Sequence, residues 1–170
     1  MESDAVGADP AAAVADVAAV AAVAAVADFA DRLALLDVAY AYARFADRID
    51  AESLGGLFVE DGVLRILRPR GGVAPVERVG RAEIISAIKR LDRYQSTFHL
   101  VGNHYYEIDG DEATGEVYCV AHHVQGEPDE RSDHVMMIRY LDRYRREPDG
   151  WRILERELHV DWTEERVVTS

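Results

Sequence analysis

The stretch STFHLVGNHYYEIDGDEATGEVYCVAHH, residues 96–123, decides the fold class. Apolar and polar residues alternate in both halves, and DGD at 109–111 separates the halves as a tight turn would. Two further alternating runs follow, separated from their neighbours by GEPDERS at 126–132 and EPDG at 147–150. Because short joins between long strands favour antiparallel pairing, the sequence predicts an antiparallel sheet of four strands. These strands are predicted at 97–108, 112–125, 133–146 and 151–162.

Helical patterns precede this sheet. The first helix is predicted from Phe29 onward, with apolar residues at spacings of three and four and a carboxylate, Asp47, at the end of the stripe. Further helices are predicted at 51–58 and 81–91, with a short strand at 60–67 and a Gly/Pro-rich loop at 68–80 between them. Helices segregated from an antiparallel sheet predict an α+β fold. A curved sheet packed on three helices would enclose a pocket on its concave face. The predicted stripe of the first helix comprises Phe29, Leu33, Leu36, Tyr40, Ala43 and Asp47.

The first 27 residues form an Ala-rich, low-complexity extension, and residues 28–170 are predicted to form one domain. The extension does not have the features of a signal peptide, since its start is acidic and Asp16 interrupts the apolar run. It is also too short and too weakly apolar to be predicted as a membrane span.

Charge and cysteine content narrow the possible partners and compartment. The formal net charge is −13, which disfavours nucleic acid and anionic membranes as partners because phosphate groups repel such a surface. The single cysteine, Cys119, excludes an internal disulfide, and the cytoplasm is the default expectation.

His99 is the first candidate for chemistry. Strand alternation places Thr97, His99, Val101, Asn103 and Tyr105 on one face, and Cys119, Ala121 and His123 share a face of the next strand. A largely apolar face with one imidazole is typical of a pocket wall. A carboxylate bonded to one ring nitrogen would fix the tautomer of that imidazole and stabilise its charged form, and Asp47 is the candidate carboxylate. The non-catalytic alternatives are that Asp47 caps a helix and that His99 is a polar residue whose hydrogen bonds are made within the fold.

Four segments together resemble the SnoaL-like division of the nuclear-transport-factor-like superfamily: YARFADRIDAESLGGLFVEDGVL, GRAEIISAI, the stretch quoted above and DGWRILERELHVDW. The resemblance covers about residues 30–162 and depends on the order and spacing of these segments. It implies a cone-shaped α+β fold in which a strongly bent antiparallel sheet packs on three helices around a deep pocket. Members include scytalone dehydratase, bile-acid dehydratases, lindane dehydrochlorinase, ketosteroid isomerases and polyketide cyclases.

The resemblance also assigns candidate roles. Asp47 and His99 match the catalytic dyad of the dehydratases and the dehydrochlorinase. His123 matches a further catalytic histidine of scytalone dehydratase, although a register error would exchange it with His122. Tyr42 matches a tyrosine suited to assist the leaving group, with Tyr40 as its competitor because Tyr40 lies on the predicted Asp47 face.

These assignments predict a cofactor-independent lyase of the dehydratase type. The substrate is expected to be a small hydrophobic polyketide-, terpenoid- or steroid-like molecule in a pocket lined by Val101, Cys119, Ala121 and Met136. No cofactor and no metal are expected, since no His-Glu-x-x-His motif, cysteine cluster or phosphate-binding glycine motif occurs. Isomerase or cyclase chemistry with the same base, and a non-catalytic ligand-binding or assembly domain, are the alternatives. A homo-oligomer, dimer or trimer, is expected because relatives commonly cover the outer sheet surface with a partner.

Overall fold

The computed structural model describes residues 10–68, 74–127 and 130–168. The chain divides into two units, Met1–Leu33 and Ala34–Ser170. In the first unit the described residues are helical from Pro10 onward, and an ion pair links Asp28 to Arg32 one helical turn later. Residues 1–9 of the predicted extension lie outside the described residues, and the domain boundary at residue 28 stays a prediction.

The elements occur in the order expected for an α+β protein. The helices are α1 (Pro10–Asp47), α2 (Ala51–Gly56) and α3 (Arg81–Lys89), and a 3-10 turn at Arg90–Arg93 extends α3. The strands are β1 (Phe58–Leu67), β2 (Val76–Val79), β3 (Ser96–Asp109), β4 (Glu112–Gln125), β5 (Ser132–Glu147) and β6 (Gly150–Val167). The three predicted helices and four long strands are confirmed. None of the described helices combines the length and the apolar character that a membrane-spanning helix needs.

One sheet of six strands, in the order β2-β1-β6-β5-β4-β3, forms the second unit's β layer. All neighbours are antiparallel except β1 and β6, which run parallel. The α+β class is confirmed, and the sheet is mixed because β1 joins it beside the last strand of the meander. The predicted loop at 68–80 contains β2, which pairs with β1 through Val63 and Val79; residues 69–73 of this loop lie outside the described residues.

The core of the second unit lies between one sheet face and the helices. Leu35, Leu54, Phe58, Ile84 and Ile153 have no exposed surface, and burying side chains of this size stabilises a fold by roughly 1.5–3 kcal/mol each. The opposite face of β3 and β4 carries exposed apolar side chains. An oligomer would cover this face, and the expected homo-oligomer stays a prediction.

Two predictions about side-chain direction are wrong. In α1 the buried face consists of Leu35, Val38, Ala39, Tyr42, Ala43 and Ala46, whereas Tyr40 is 49% exposed. The helix is rich in Ala and Val on every side, so periodicity alone did not identify its buried face. In β3 a bulge between Val101 and His104 reverses the alternation, so that Tyr106 is 3% exposed and Tyr105 is 62% exposed.

Candidate active site

Asp47 and His99 are in direct contact. The ring Nδ1 of His99 lies 2.7 Å from Oδ1 of Asp47, and the backbone N–H of His99 donates to Oδ2 at 3.0 Å. The Thr97 hydroxyl donates a third hydrogen bond to Oδ1 at 3.1 Å. The Asp47 carboxylate therefore binds both the ring and the backbone of His99, which fixes the orientation of the ring.

The end of α1 places Asp47 at this point. The N–H of Ile49 donates to the carbonyl of Ala46 and the N–H of Asp50 donates to that of Phe45, as in a Schellman helix end. Ile49 occupies the left-handed position at φ 54°, where glycine is the usual residue and a β-branched side chain is strained. Asp50 then caps α2 by accepting the N–H of Ser53 at 3.1 Å.

The protonation of the pair follows from its contacts. Partial burial by itself would raise the pKa of Asp47, but hydrogen bonds from His99 and Thr97 outweigh it and the pKa lies below the usual range. An ionised carboxylate only accepts hydrogen bonds, so Nδ1 of a neutral His99 carries the proton. The lone pair is then on Nε2, the nitrogen that a general base would use.

His99 is part of the wall of a cavity of about 460 Å³ in the second unit, a size typical of small-molecule sites. Much of the wall is apolar, and polar groups come from helix, loop and sheet. Asp47 does not line this cavity; it lies in a separate surface hollow behind His99. The imidazole therefore lies between the carboxylate and the cavity. The apolar part of the wall includes Leu64, Ile66, Ile88, Leu91, Met136, Ile138, Leu158 and Val160.

His123 lines the same cavity and is 3% exposed. Its ring centroid lies 5.5 Å from that of His99 and 4.7 Å from that of Tyr94. Burial, together with the nearby His99, lowers the pKa of His123 to about 4, so the ring is neutral at neutral pH. His122 points to the other face, where its Nδ1 lies 2.6 Å from Asp133. The histidine that faces the cavity is thus His123.

Tyr42 also lines the cavity and is 4% exposed. Its ring lies against the guanidinium of Arg156, 4.1 Å from ring centroid to Cζ, and Tyr140 lies at the same distance from that guanidinium. Burial raises the pKa of Tyr42, and the positive charge of Arg156 only partly offsets this effect. The phenol keeps its proton at neutral pH and can donate a hydrogen bond.

Of the four residues predicted to line the pocket, the structure places one in the cavity wall. Met136 lines the cavity, whereas Val101 lies in the hollow that contains Asp47. Cys119 and Ala121 belong to the buried core and are not among the described residues that line the cavity. Larger cross-strand neighbours cover Ala121, since it pairs with His99 on one side and Met136 on the other.

A buried charge pair that was not predicted from the sequence lies next to this wall. Arg156 donates to Asp142 through Nε at 2.8 Å and Nη2 at 2.7 Å, and the Tyr144 hydroxyl donates to Oδ2 at 2.6 Å. Arg156 and Asp142 are 0% and 4% exposed. Strand alternation could have predicted the burial of Asp142, because Asp142 continues the inward face of Ile138 and Tyr140 along β5. Tyr94, which follows the 3-10 turn, carried no comparable periodic signal.

Among the described stretches, no three His, Cys, Asp or Glu side chains are grouped as metal ligands would be.

The fold has counterparts among solved structures. A structure of an NTF2-like protein with a cystatin-like fold from Novosphingobium aromaticivorans is 28% identical, with a TM-score of 0.62, and the match covers 82% of this chain and 87% of that one. A provisionally assigned scytalone dehydratase from Novosphingobium aromaticivorans DSM 12444 is 20% identical over 84% of this chain and 92% of that one, with a TM-score of 0.69. A type 2 hexachlorocyclohexane dehydrochlorinase, LinA, is 15% identical over 84% and 93%, with a TM-score of 0.70.

No curated protein matches this chain by sequence. The profile of the SnoaL-like domain, in contrast, matches residues 27–157, most of the chain. The chain therefore belongs to the SnoaL-like domain family.

Proposed function

We propose that this protein is a cofactor-independent lyase that uses His99 as its base. The contact between Asp47 and Nδ1 of His99, with the imidazole in the wall of a cavity, is the observation that carries the proposal. The carboxylate fixes the tautomer with a lone pair on Nε2 and stabilises the imidazolium that forms when a proton is taken up. Scytalone dehydratase and dehydrochlorinase are the activities named for two proteins of the same fold.

The elimination proceeds from a substrate that carries an acidic C–H next to a carbon with a hydroxyl group. Nε2 of His99 takes the proton, the C–H electron pair becomes the new C=C bond, and the C–O bond breaks. The departing hydroxide receives the proton from the imidazolium and leaves as water. No electrons are gained or lost overall, so the residues need no redox partner.

The leaving group is assisted by hydrogen bonds. His123 is a neutral imidazole at neutral pH, because its pKa is about 4, and it acts as a hydrogen-bond donor to the departing oxygen. Tyr42 keeps its proton and is the second donor. These groups lie beside the apolar part of the cavity wall, where hydrogen bonds to developing charge are stronger than in water.

The apolar wall favours a compact hydrophobic substrate of the polyketide, terpenoid or steroid type, and the cavity of about 460 Å³ limits its size. Isomerisation and aldol-type cyclisation begin with the same proton abstraction, so they differ from elimination in the fate of the carbanion. A domain that only bound a ligand or served in assembly would not need an oriented imidazole in its cavity wall.

The test is a mass assay in ordinary water. Hydrophobic β-hydroxy ketones and thioesters are incubated with the wild type, with His99→Ala, and with His104→Ala as a control on the same strand. The proposal predicts loss of water by the wild type and the His104 variant only. A product of unchanged mass with a shifted double bond or a new ring would assign isomerase or cyclase chemistry instead. Turnover retained by His99→Ala would refute His99 as the base.

A further inference from the structure

Four arginines of the described residues line the cavity, although the chain as a whole is strongly acidic. They are Arg68, Arg78, Arg90 and Arg93, in a protein of formal net charge −13. Among the described residues of the wall, Glu165 is the one carboxylate, and it forms an ion pair with His134. The cavity therefore combines an apolar body with an excess of positive charge that the composition does not explain.

These charges are not neutralised within the part of the chain that the structure describes, where no carboxylate forms an ion pair with any of the four arginines. Arg78 donates through Nη1 to the backbone carbonyl of Glu77 at 2.7 Å. Arg93 donates through Nη2 to the Tyr94 hydroxyl at 2.7 Å, and its guanidinium lies 4.7 Å from the Tyr94 ring centroid. The other guanidinium N–H groups remain for a ligand, because each side chain has five donors.

The arginines are connected to the reacting end of the cavity. The Tyr94 ring, which Arg93 contacts, lies 4.7 Å from the ring of His123. His123 in turn lies 5.5 Å from His99. Two aromatic side chains therefore separate the Arg93 guanidinium from the candidate base, and one compact molecule can contact both.

We propose that Arg78, Arg90 and Arg93 form an oxyanion-binding subsite of the cavity, so that the hydrophobic substrate also carries an acidic group. Its apolar part lies against Leu91, Met136 and the other apolar wall residues, and its carboxylate or phosphate is bound by the guanidinium groups. Arginine suits this role because its planar donors bind carboxylate and phosphate in pairs. This inference rests on the proposed function for the identity of the reacting end, but the anion subsite is testable by binding alone.

The test compares two fluorescent probes that share one ring system. 8-Anilinonaphthalene-1-sulfonate carries an oxyanion, and N-phenyl-1-naphthylamine lacks it. The wild type is expected to bind the sulfonate more tightly, and Arg90→Gln/Arg93→Gln is expected to weaken sulfonate binding about tenfold, as loss of a charge-assisted hydrogen bond does. Binding of the neutral probe should change less than twofold. Arg145→Gln, an arginine that pairs with Glu147 outside the cavity, is the control.

Two further measurements complete the test. Added NaCl should weaken binding of the sulfonate to the wild type and leave the neutral probe unaffected. Octanoate and octyl phosphate should displace the sulfonate better than octan-1-ol. Whichever of the two anions displaces it at the lower concentration identifies a carboxylate or a phosphate as the natural group.

Equal displacement by octan-1-ol, or an unchanged preference in the double variant, would overturn the subsite. His99→Ala should keep the full preference for the anion. A failure of the proposed lyase chemistry is thereby distinguished from a failure of this inference.

Discussion

Replacing Asp142 by Asn should destabilise the protein far more than any surface change. Asp142 accepts two hydrogen bonds from Arg156 and one from Tyr144, all at 2.8 Å or less. Arg156 is 0% exposed, so the variant leaves a buried cation without a counter-charge. Breaking such a pair costs about 3–5 kcal/mol, which corresponds to a decrease in Tm of roughly 10 °C for a chain of this size.

The assay is urea and thermal unfolding followed by circular dichroism. The matched control is Asp161→Asn, because Asp161 forms a two-point pair with Arg139 at 2.8 Å whose side chains are 30% and 38% exposed. An exposed pair of this kind contributes less than about 1 kcal/mol. The double variant Asp142→Asn/Arg156→Met removes the orphaned charge and should be more stable than Asp142→Asn alone.

Two results would refute this reasoning. A loss in Asp142→Asn within about 1 kcal/mol of the Asp161→Asn loss would mean that the buried cation is compensated in another way. Additive effects of Asp142→Asn and Arg156→Met would mean that the two residues do not act as a pair. Because Arg156 lies against the rings of Tyr42 and Tyr140, loss of the pair should also perturb the cavity wall.

Three further predictions concern stability. Because the folded pKa of His123 is about 4 and the unfolded value is about 6.5, the unfolded state binds the proton first, and the wild type should lose up to about 3 kcal/mol between pH 6.5 and pH 4. His123→Gln should lack this loss. If the free energies of unfolding in urea of the wild type and the variant change in parallel with pH, the role of His123 is contradicted. Gly115→Ala should cost about 1–3 kcal/mol, since its Cβ would lie 2.8 Å from the Tyr106 ring; an unchanged Tm would disprove the clash. Asp50→Ala should lower the urea midpoint through loss of the cap on the Ser53 N–H, and an unchanged midpoint would exclude that role.

Strand periodicity predicted most of the sheet. The bounds of β4 agree with the prediction at 112–125, and the inward face of Cys119, Ala121 and His123 follows from alternation alone. The direction of β3 beyond Val101 could not be predicted in this way, because a bulge adds a residue without changing the apparent pattern. Gly102, which lies inside the bulge, was the one available sign.

The helix that carries Asp47 was harder to interpret. Tyr40 and Tyr42 differ by two positions, and Ala and Val surround both of them, so that no apolar stripe distinguished the buried tyrosine from the exposed one. The sheet resolved the choice, since Tyr42 packs against Tyr140 of β5. The pairing of Asp47 with His99, separated by 52 residues, was a hypothesis from their chemistry that the resemblance strengthened, because no local pattern encodes such a contact.

The most direct test of the proposed mechanism is the rate of turnover by Asp47→Asn, measured as loss of water from a substrate that the wild type converts. An asparagine amide that donates to Nδ1 would put the imidazole proton on Nε2 and remove the base, as in the serine-protease case. We therefore predict a decrease of about 10³–10⁴-fold, with unfolding stability close to that of the wild type. A rate within about tenfold of the wild type, in a variant that remains folded, would contradict the assignment of Asp47 and His99 as the catalytic pair.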